Sequence, residues 1–207
     1  MAPAARRGLI VFVAAILLMA GVFAVDHWWL RGGDGTSGLG VAIGGPFTLI
    51  DQNGVTRHDS DFRGELMLVY FGYTFCPDAC PTALQTMSTA LDDLGDSAKG
   101  VQPIFITVDP ERDTVQQMKL YAANFHPRLI ALTGSAEQTA AAARAYRVYF
   151  QAAPHGDSKA AHPDDDLDYL VDHSSFIYLM GRDGRYLAHF GPDVSADAMA
   201  AAIKKYL

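Results

Sequence analysis

Cys76 and Cys80 are the two cysteines of this chain, and they stand in the run Phe75-Cys76-Pro77-Asp78-Ala79-Cys80-Pro81. Two thiols in 207 residues do not build a disulfide scaffold, so their closeness points to a local chemical site. A buried pair of small apolar side chains is the bland alternative. Prolines at a strand-to-helix junction favour redox or metal chemistry over it. If both cysteines are helical, positions i and i+4 share one face and the sulfurs converge. The unpaired N–H groups and partial positive charge at a helix start stabilise thiolate, the form that binds metal or attacks a disulfide.

Two thiolates leave the coordination sphere of most metals incomplete. Sulfur favours Cu(I), and an added imidazole also suits Cu(II) or Zn. Seven histidines are available. His27 lies beside an apolar N-terminal run, and His58, His126 and His189 have ordinary surface or packing explanations. His155 and His162 fall in a polar loop near Asp164, Asp165 and Asp166, where a solvated acidic loop explains them better than weak metal binding. His173 differs, because Val171-Asp172-His173-Ser174 opens a strongly apolar strand. A polar cluster there must be hydrogen-bonded or exposed at a functional edge. Spacing alone leaves a structural histidine and a ligand both open.

The elements that would position these groups follow from the pattern. Phe47 to Ile50 and the Asn53-Gly54 turn signal a β-hairpin. Leu66 to Tyr73 is a near-continuous apolar run, the mark of a central strand buried on both faces. A helix follows from about Pro77 or Pro81 to Leu94, with Gly95 as its stop. Val101 to Val108 reads as a second buried strand. Asp113 can cap a helix over Thr114 to Phe125, and Leu129 to Leu132 is a short strand. Ser135 and Gln138 form a capping box for a helix reaching Ala145. Tyr146 to Gln151 and Tyr169 to Met180 read as extended, around a polar loop over Pro154 to Asp166. Asp183-Gly184 turns the chain into Tyr186 to Phe190, and Ser195 caps a last helix to Tyr206. The alternation predicts an α/β sandwich with its dithiol just after the first central strand, where a thioredoxin-like fold places one.

Residues 8–25 carry no charge and at helical rise cover about 27 Å, enough to cross a bilayer. Arg6 and Arg7 precede this run, and Asp26, Trp28 and Trp29 follow it. The expectation is a cytoplasmic N-terminus at 1–7, a transmembrane anchor at 8–25, a Gly-rich tether at 26–43 and a domain at 44–207 on the far side of the membrane. A cleaved signal peptide is the rival, but the apolar run is long and Val22-Phe23-Ala24 fits a cleavage site poorly. The formal net charge is −7, and the fourteen basic residues from Asp26 onward face all twenty-three acids. That balance argues against nucleic-acid binding.

Three blocks, Tyr-Phe-Gly-Tyr-Thr-Phe-Cys-Pro-Asp-Ala-Cys-Pro at 70–81, Thr-Val-Asp-Pro-Glu-Arg-Asp-Thr at 107–114 and Val-Asp-His-Ser at 171–174, together resemble the Sco/SenC family over roughly residues 44–207. The resemblance implies a thioredoxin-like fold with an N-terminal transmembrane helix, and copper, as Cu(I) or Cu(II), bound by Cys76, Cys80 and His173. It implies a copper chaperone rather than an enzyme, acting in assembly of the copper A centre of cytochrome c oxidase. The implied partners are oxidase subunit II or a related copper oxidase, and other periplasmic copper chaperones. The implied location is the inner membrane, single-pass, with the domain in the periplasm or an equivalent space. Membrane-anchored thiol–disulfide exchange, with Cys76 attacking and Cys80 resolving in a redox disulfide, is the alternative. A peroxidase needs cationic or hydroxyl donors beside its thiol; Thr74 and several arginines exist, but no spacing compels that assignment, and a passive scaffold leaves the dithiol unexplained. The 109–113 block has a sufficient structural account as a strand end, a proline turn and a helix cap.

Overall fold

The structure, a computed structural model, describes residues 42–152 and 169–207. The expected anchor and residues 26–41 of the expected tether, together with His27, His155 and His162, lie outside the described residues; Ile43, placed in the tether by the sequence, packs against the core. Among the described residues no helix is long and apolar enough to cross a membrane.

The apolar run at 66–73 becomes β3 (Leu66–Gly72), in which all seven residues are buried. β4 (Val101–Thr107) is equally buried and lies parallel to it, from Leu66 opposite Val101 to Gly72 opposite Thr107. Both strands are covered on two faces, which is why neither alternates. The first hairpin forms from β1 (Thr48–Asp51) and β2 (Thr56–His58). Its turn needs a positive φ at Gly54, and the Asp51 carboxylate accepts from the amides of Asn53 and Val55. β5 (Ile130–Thr133) adds to β4, and β8 (Ile177–Met180) and β9 (Tyr186–Phe190) close the other side as the expected hairpin. The sheet order is β2-β1-β5-β4-β3-β8-β9, which puts β3 beside the centre.

Four helices complete the described domain: α1 (Ala79–Leu94), α2 (Val115–Ala122), α3 (Ala136–Ala145) and α4 (Ala196–Ile203). α1 buries Cys80, Leu84, Met87, Leu91 and Leu94 along one face, and it packs against α4. Each fully buried side chain of Leu or Met size contributes ~1.5–3 kcal/mol. The Ser135–Gln138 capping box and the Ser195 cap form as expected.

Three expectations change. Thr114, not Asp113, caps α2, because its hydroxyl accepts from the Gln117 amide. The Asp113 carboxylate is instead drawn inward by better donors: the Thr74 amide and hydroxyl and the Thr107 hydroxyl, at 2.5–3.2 Å. Desolvation raises its pKa, against the hydrogen bonds from Thr107 and Thr74. Secondly, Tyr146 closes α3 and Arg147 takes a positive φ, so the extended piece shrinks to β6 (Phe150–Ala152). Thirdly, the segment 169–180 is not one strand. It divides into β7 (Val171–His173) and β8, and β7 leaves the main sheet to pair antiparallel with β6, with Phe150 opposite His173.

Candidate metal and thiol site

The end of β3, the first turn of α1 and the end of β7 meet at Cys76, Cys80 and His173. Their ligand atoms all lie within 4.8 Å of one another. The His173 Nε2 is 3.3 Å from the Cys80 Sγ, across 93 residues of sequence. Three donors each 2.0–2.3 Å from a shared ion stand roughly 3.5–4 Å apart, so separations within 4.8 Å need only small side-chain adjustments to fit a metal. Two soft sulfurs with one imidazole are a donor set that suits copper or zinc.

The sulfurs converge by a different route from the one the spacing suggests. Cys80 is in the first turn of α1, but Cys76 precedes the helix, in a turn closed by its amide donating to the Tyr73 carbonyl. The turn folds Cys76 back so that its Sγ accepts from the Cys80 amide at 3.4 Å. Cys80 is fully buried, and Cys76 is half-buried.

The two thiols also differ in acidity. The Cys80 thiol donates to Cys76 and holds it far below the usual thiol range, against the cost of burial. His173 and the amides of Asp78 and Cys80 add to this effect. Cys80 moves the opposite way, pushed up by its role as donor to Cys76 and by burial. The helix start therefore favours one thiolate, not two. A second negative charge in the same small volume is strongly disfavoured. Consequently Cys76 should be alkylated at a rate nearly flat from pH 5 to 8, with Cys80 unreactive. Mass spectrometry of iodoacetamide-treated protein measures this. A Cys76 rate that climbs tenfold per unit toward about pH 8.5, as for a free thiol, would show that the asymmetry is absent.

His173 is oriented for its role. In the neutral ring, Nδ1–H donates to the Ser174 carbonyl at 3.1 Å, which leaves the Nε2 lone pair toward the sulfurs. The rings of Tyr70 and Tyr73 meet the imidazole edge-on, with centroids 6.1 and 5.9 Å away.

Sequence reasoning missed two residues. Tyr70, buried in β3, directs its hydroxyl at the Cys80 Sγ from 3.9 Å. Gly72 leaves room for that sulfur, since a Cβ there would lie 2.7 Å from the Cys80 Sγ and 3.0 Å from Phe105. A glycine inside an otherwise apolar strand was the available signal for such a close approach. We expect Gly72→Ala to cost about 1–3 kcal/mol of stability through overpacking. It should also displace the Cys80 sulfur and weaken metal binding at least tenfold. Denaturant unfolding and metal titration read the two effects, and wild-type metal affinity in the variant would exclude this role for Gly72.

A dithiol placed between a central strand and the first turn of a helix, with a histidine brought over it from a separate ribbon, defines a thioredoxin-like protein with a metal-competent site. The sequence profile of the SCO1/SenC family matches residues 36–207, and the chain belongs to that family. It is 45% identical over 171 residues to the mitochondrial SCO2 homologue of Bos taurus, covering 81% of this chain and 61% of that one. The chain thus spans about three fifths of that relative's length. Among solved structures, Bradyrhizobium japonicum ScoI with copper bound is 44% identical, with a TM-score of 0.71 over 80% of this chain and all of the other. BsSco, a member of the Sco family of cytochrome c oxidase assembly proteins in which a disulfide switch was identified, is 26% identical. Its TM-score is 0.60 over 80% of this chain and 93% of the other.

Proposed function

We propose that this protein binds one copper ion through Cys76, Cys80 and His173 and delivers it during assembly of cytochrome c oxidase, to the copper A centre of subunit II. The observation that carries the reading is the convergence of two sulfurs and an imidazole nitrogen within 4.8 Å. Family membership and the copper-bound ScoI relative support it. Copper here is cargo. The thiolates and the imidazole hold it, and an acceptor with its own soft ligands takes it away. Loading the reduced full-length chain in detergent with Cu(I) or Cu(II), then mixing it with metal-free subunit II, tests the proposal. One copper per chain passing to the acceptor is the expected result. Substoichiometric loading of the reduced protein in both oxidation states would exclude it.

A second reading has its own support. The half-buried Cys76 is the more acidic thiol and Cys80 is its buried neighbour, the asymmetry of an attacking and a resolving cysteine. In this reading the dithiol reduces a disulfide between the acceptor's copper-ligating cysteines and becomes a disulfide itself. Reduction of oxidised subunit II without copper transfer would favour it.

We also propose that the domain works outside the cytoplasm, held by a single span at residues 8–25. The uncharged run and the preceding Arg6 and Arg7 support this. An alkaline phosphatase fused after Leu207 should be active. A silent fusion, paired with an active cytoplasmic reporter at the same position, would reverse the assignment.

A further inference from the structure

His173 reaches the thiols from an element that cannot hold it there unaided. β6 and β7 form a two-stranded sheet of three residues each, apart from the seven-stranded sheet. Isolated two-stranded ribbons are marginal in water. A ligand placed to within an ångström therefore needs ties beyond the ladder.

Those ties converge on Arg112, which is buried in the turn after β4. Its Nε donates to Asp109 at 2.5 Å, and its Nη1 donates to the Tyr169 carbonyl at 2.8 Å. The Tyr169 hydroxyl donates to the other Asp109 oxygen at 2.7 Å, so one carboxylate receives both arms. The guanidinium carbon lies 3.7 Å from the centroid of the Tyr169 ring, 4.9 Å from that of Phe75 and 5.5 Å from that of Tyr73. Phe75 adjoins Cys76, Tyr73 closes the turn that carries Cys76, and Tyr169 stands four residues before His173. The Tyr73 hydroxyl also accepts from the Val171 amide at 3.2 Å. One planar cation thus touches the chain on the cysteine side of the site and the chain on the histidine side.

Resting on the copper reading above, we propose that Arg112 is a positioning residue for His173: it clamps the entry to β7 against the Cys76 turn and so sets the distance between the imidazole and the two sulfurs. It acts through the Tyr169 carbonyl, the Asp109 carboxylate and the aromatic faces rather than as a ligand. The planar guanidinium is needed because it donates at two edges while stacking on a ring, which an ammonium cannot do.

The test uses the full-length chain and the variants Arg112→Lys, His173→Ala and the double variant. Lysine keeps a positive charge for Asp109 and removes the fork and the stack. Arg112→Lys should lose about tenfold in Cu(II) affinity, ~1.4 kcal/mol, and shift the sulfur-to-Cu(II) absorption toward that of His173→Ala. Cu(I), which the dithiol alone can hold, should stay within about threefold. In the His173→Ala background the same substitution should change Cu(II) affinity less than about twofold, because no imidazole is left to position. Unchanged Cu(II) affinity in Arg112→Lys, or an equal loss in both backgrounds, overturns the clamp. Should Arg112→Lys not fold, Tyr169→Leu removes the ring and leaves the Arg112–Asp109 pair, and the same cycle decides. If the wild type takes up no copper, the metal reading fails by itself. The clamp is then judged by hydrogen exchange at the Val171 amide, which must accelerate at least about tenfold in Arg112→Lys; wild-type protection there refutes it.

Discussion

In the His173→Ala variant, Cu(II) affinity falls about 100-fold, ~2.7 kcal/mol, while Cu(I) affinity stays within about tenfold of wild type. Cu(I) accepts low coordination, and two thiolates satisfy it. Cu(II) wants more donors, including nitrogen, and the imidazole at 3.3 Å from the Cys80 Sγ is the nitrogen the site offers. The substitution leaves Cys76 and Cys80 untouched, so the dithiol still oxidises and is reduced. His173 is only half-buried and ends a three-residue strand, so its loss costs little of the core. Parallel titrations with Cu(I) and Cu(II) competitors, beside thiol–disulfide equilibration, separate these effects. A variant that bound both copper states like the wild type would make His173 structural and move thiol exchange ahead of copper delivery.

Oxidation of Cys76 and Cys80 to an intramolecular disulfide abolishes copper uptake. The Cys76 thiolate attacks oxidised glutathione, forming a mixed disulfide and releasing one reduced glutathione. Cys80 gives up its proton and attacks the Cys76 sulfur, expelling the second glutathione. The sulfurs start within 4.8 Å, and the half-buried Cys76 sits in a turn rather than in the helix, so it can close the gap to about 2.05 Å. Both thiolate donors are then committed to the S–S bond, leaving only the His173 imidazole. Thiol counting by mass spectrometry and metal analysis on one sample measure the exclusion. One copper retained per oxidised chain would place the primary site elsewhere.

The cysteine pair was legible because the two residues are four apart in one short stretch and each is followed by a proline. The central strands were legible because burial on two faces writes an unbroken apolar run, as in Leu66–Gly72 and Val101–Thr107. His173 was not selected by spacing among seven histidines. Its partner lies 93 residues away; the apolar strand it opens set it apart, but only the resemblance of the Val-Asp-His-Ser block gave it a ligand role. The split of 169–180 into two strands of different sheets was hidden, since both halves are extended, and the polar run Asp172-His173-Ser174-Ser175 between their apolar ends does not say that the two pieces join different sheets. Asp113 and Thr114 are adjacent cap formers, and choosing between them requires knowing that Thr74 and Thr107 fold back onto Asp113. Arg112 read as a charge in a turn because its three aromatic neighbours come from two other stretches of chain.

The unequal acidity of the two thiols bears on what it costs to fill the proposed site. Without metal, the sulfurs together hold one proton and one negative charge. On taking Cu(I), the proton leaves and a singly charged cation enters, so two thiolates and the ion again sum to minus one. The site sees no change of net charge, so filling it with Cu(I) adds no net charge to be buried. Cu(II) in the same place brings the sum to zero. The two oxidation states thus present different charges to whatever approaches the rim, and an acceptor can tell them apart by charge before it touches the metal.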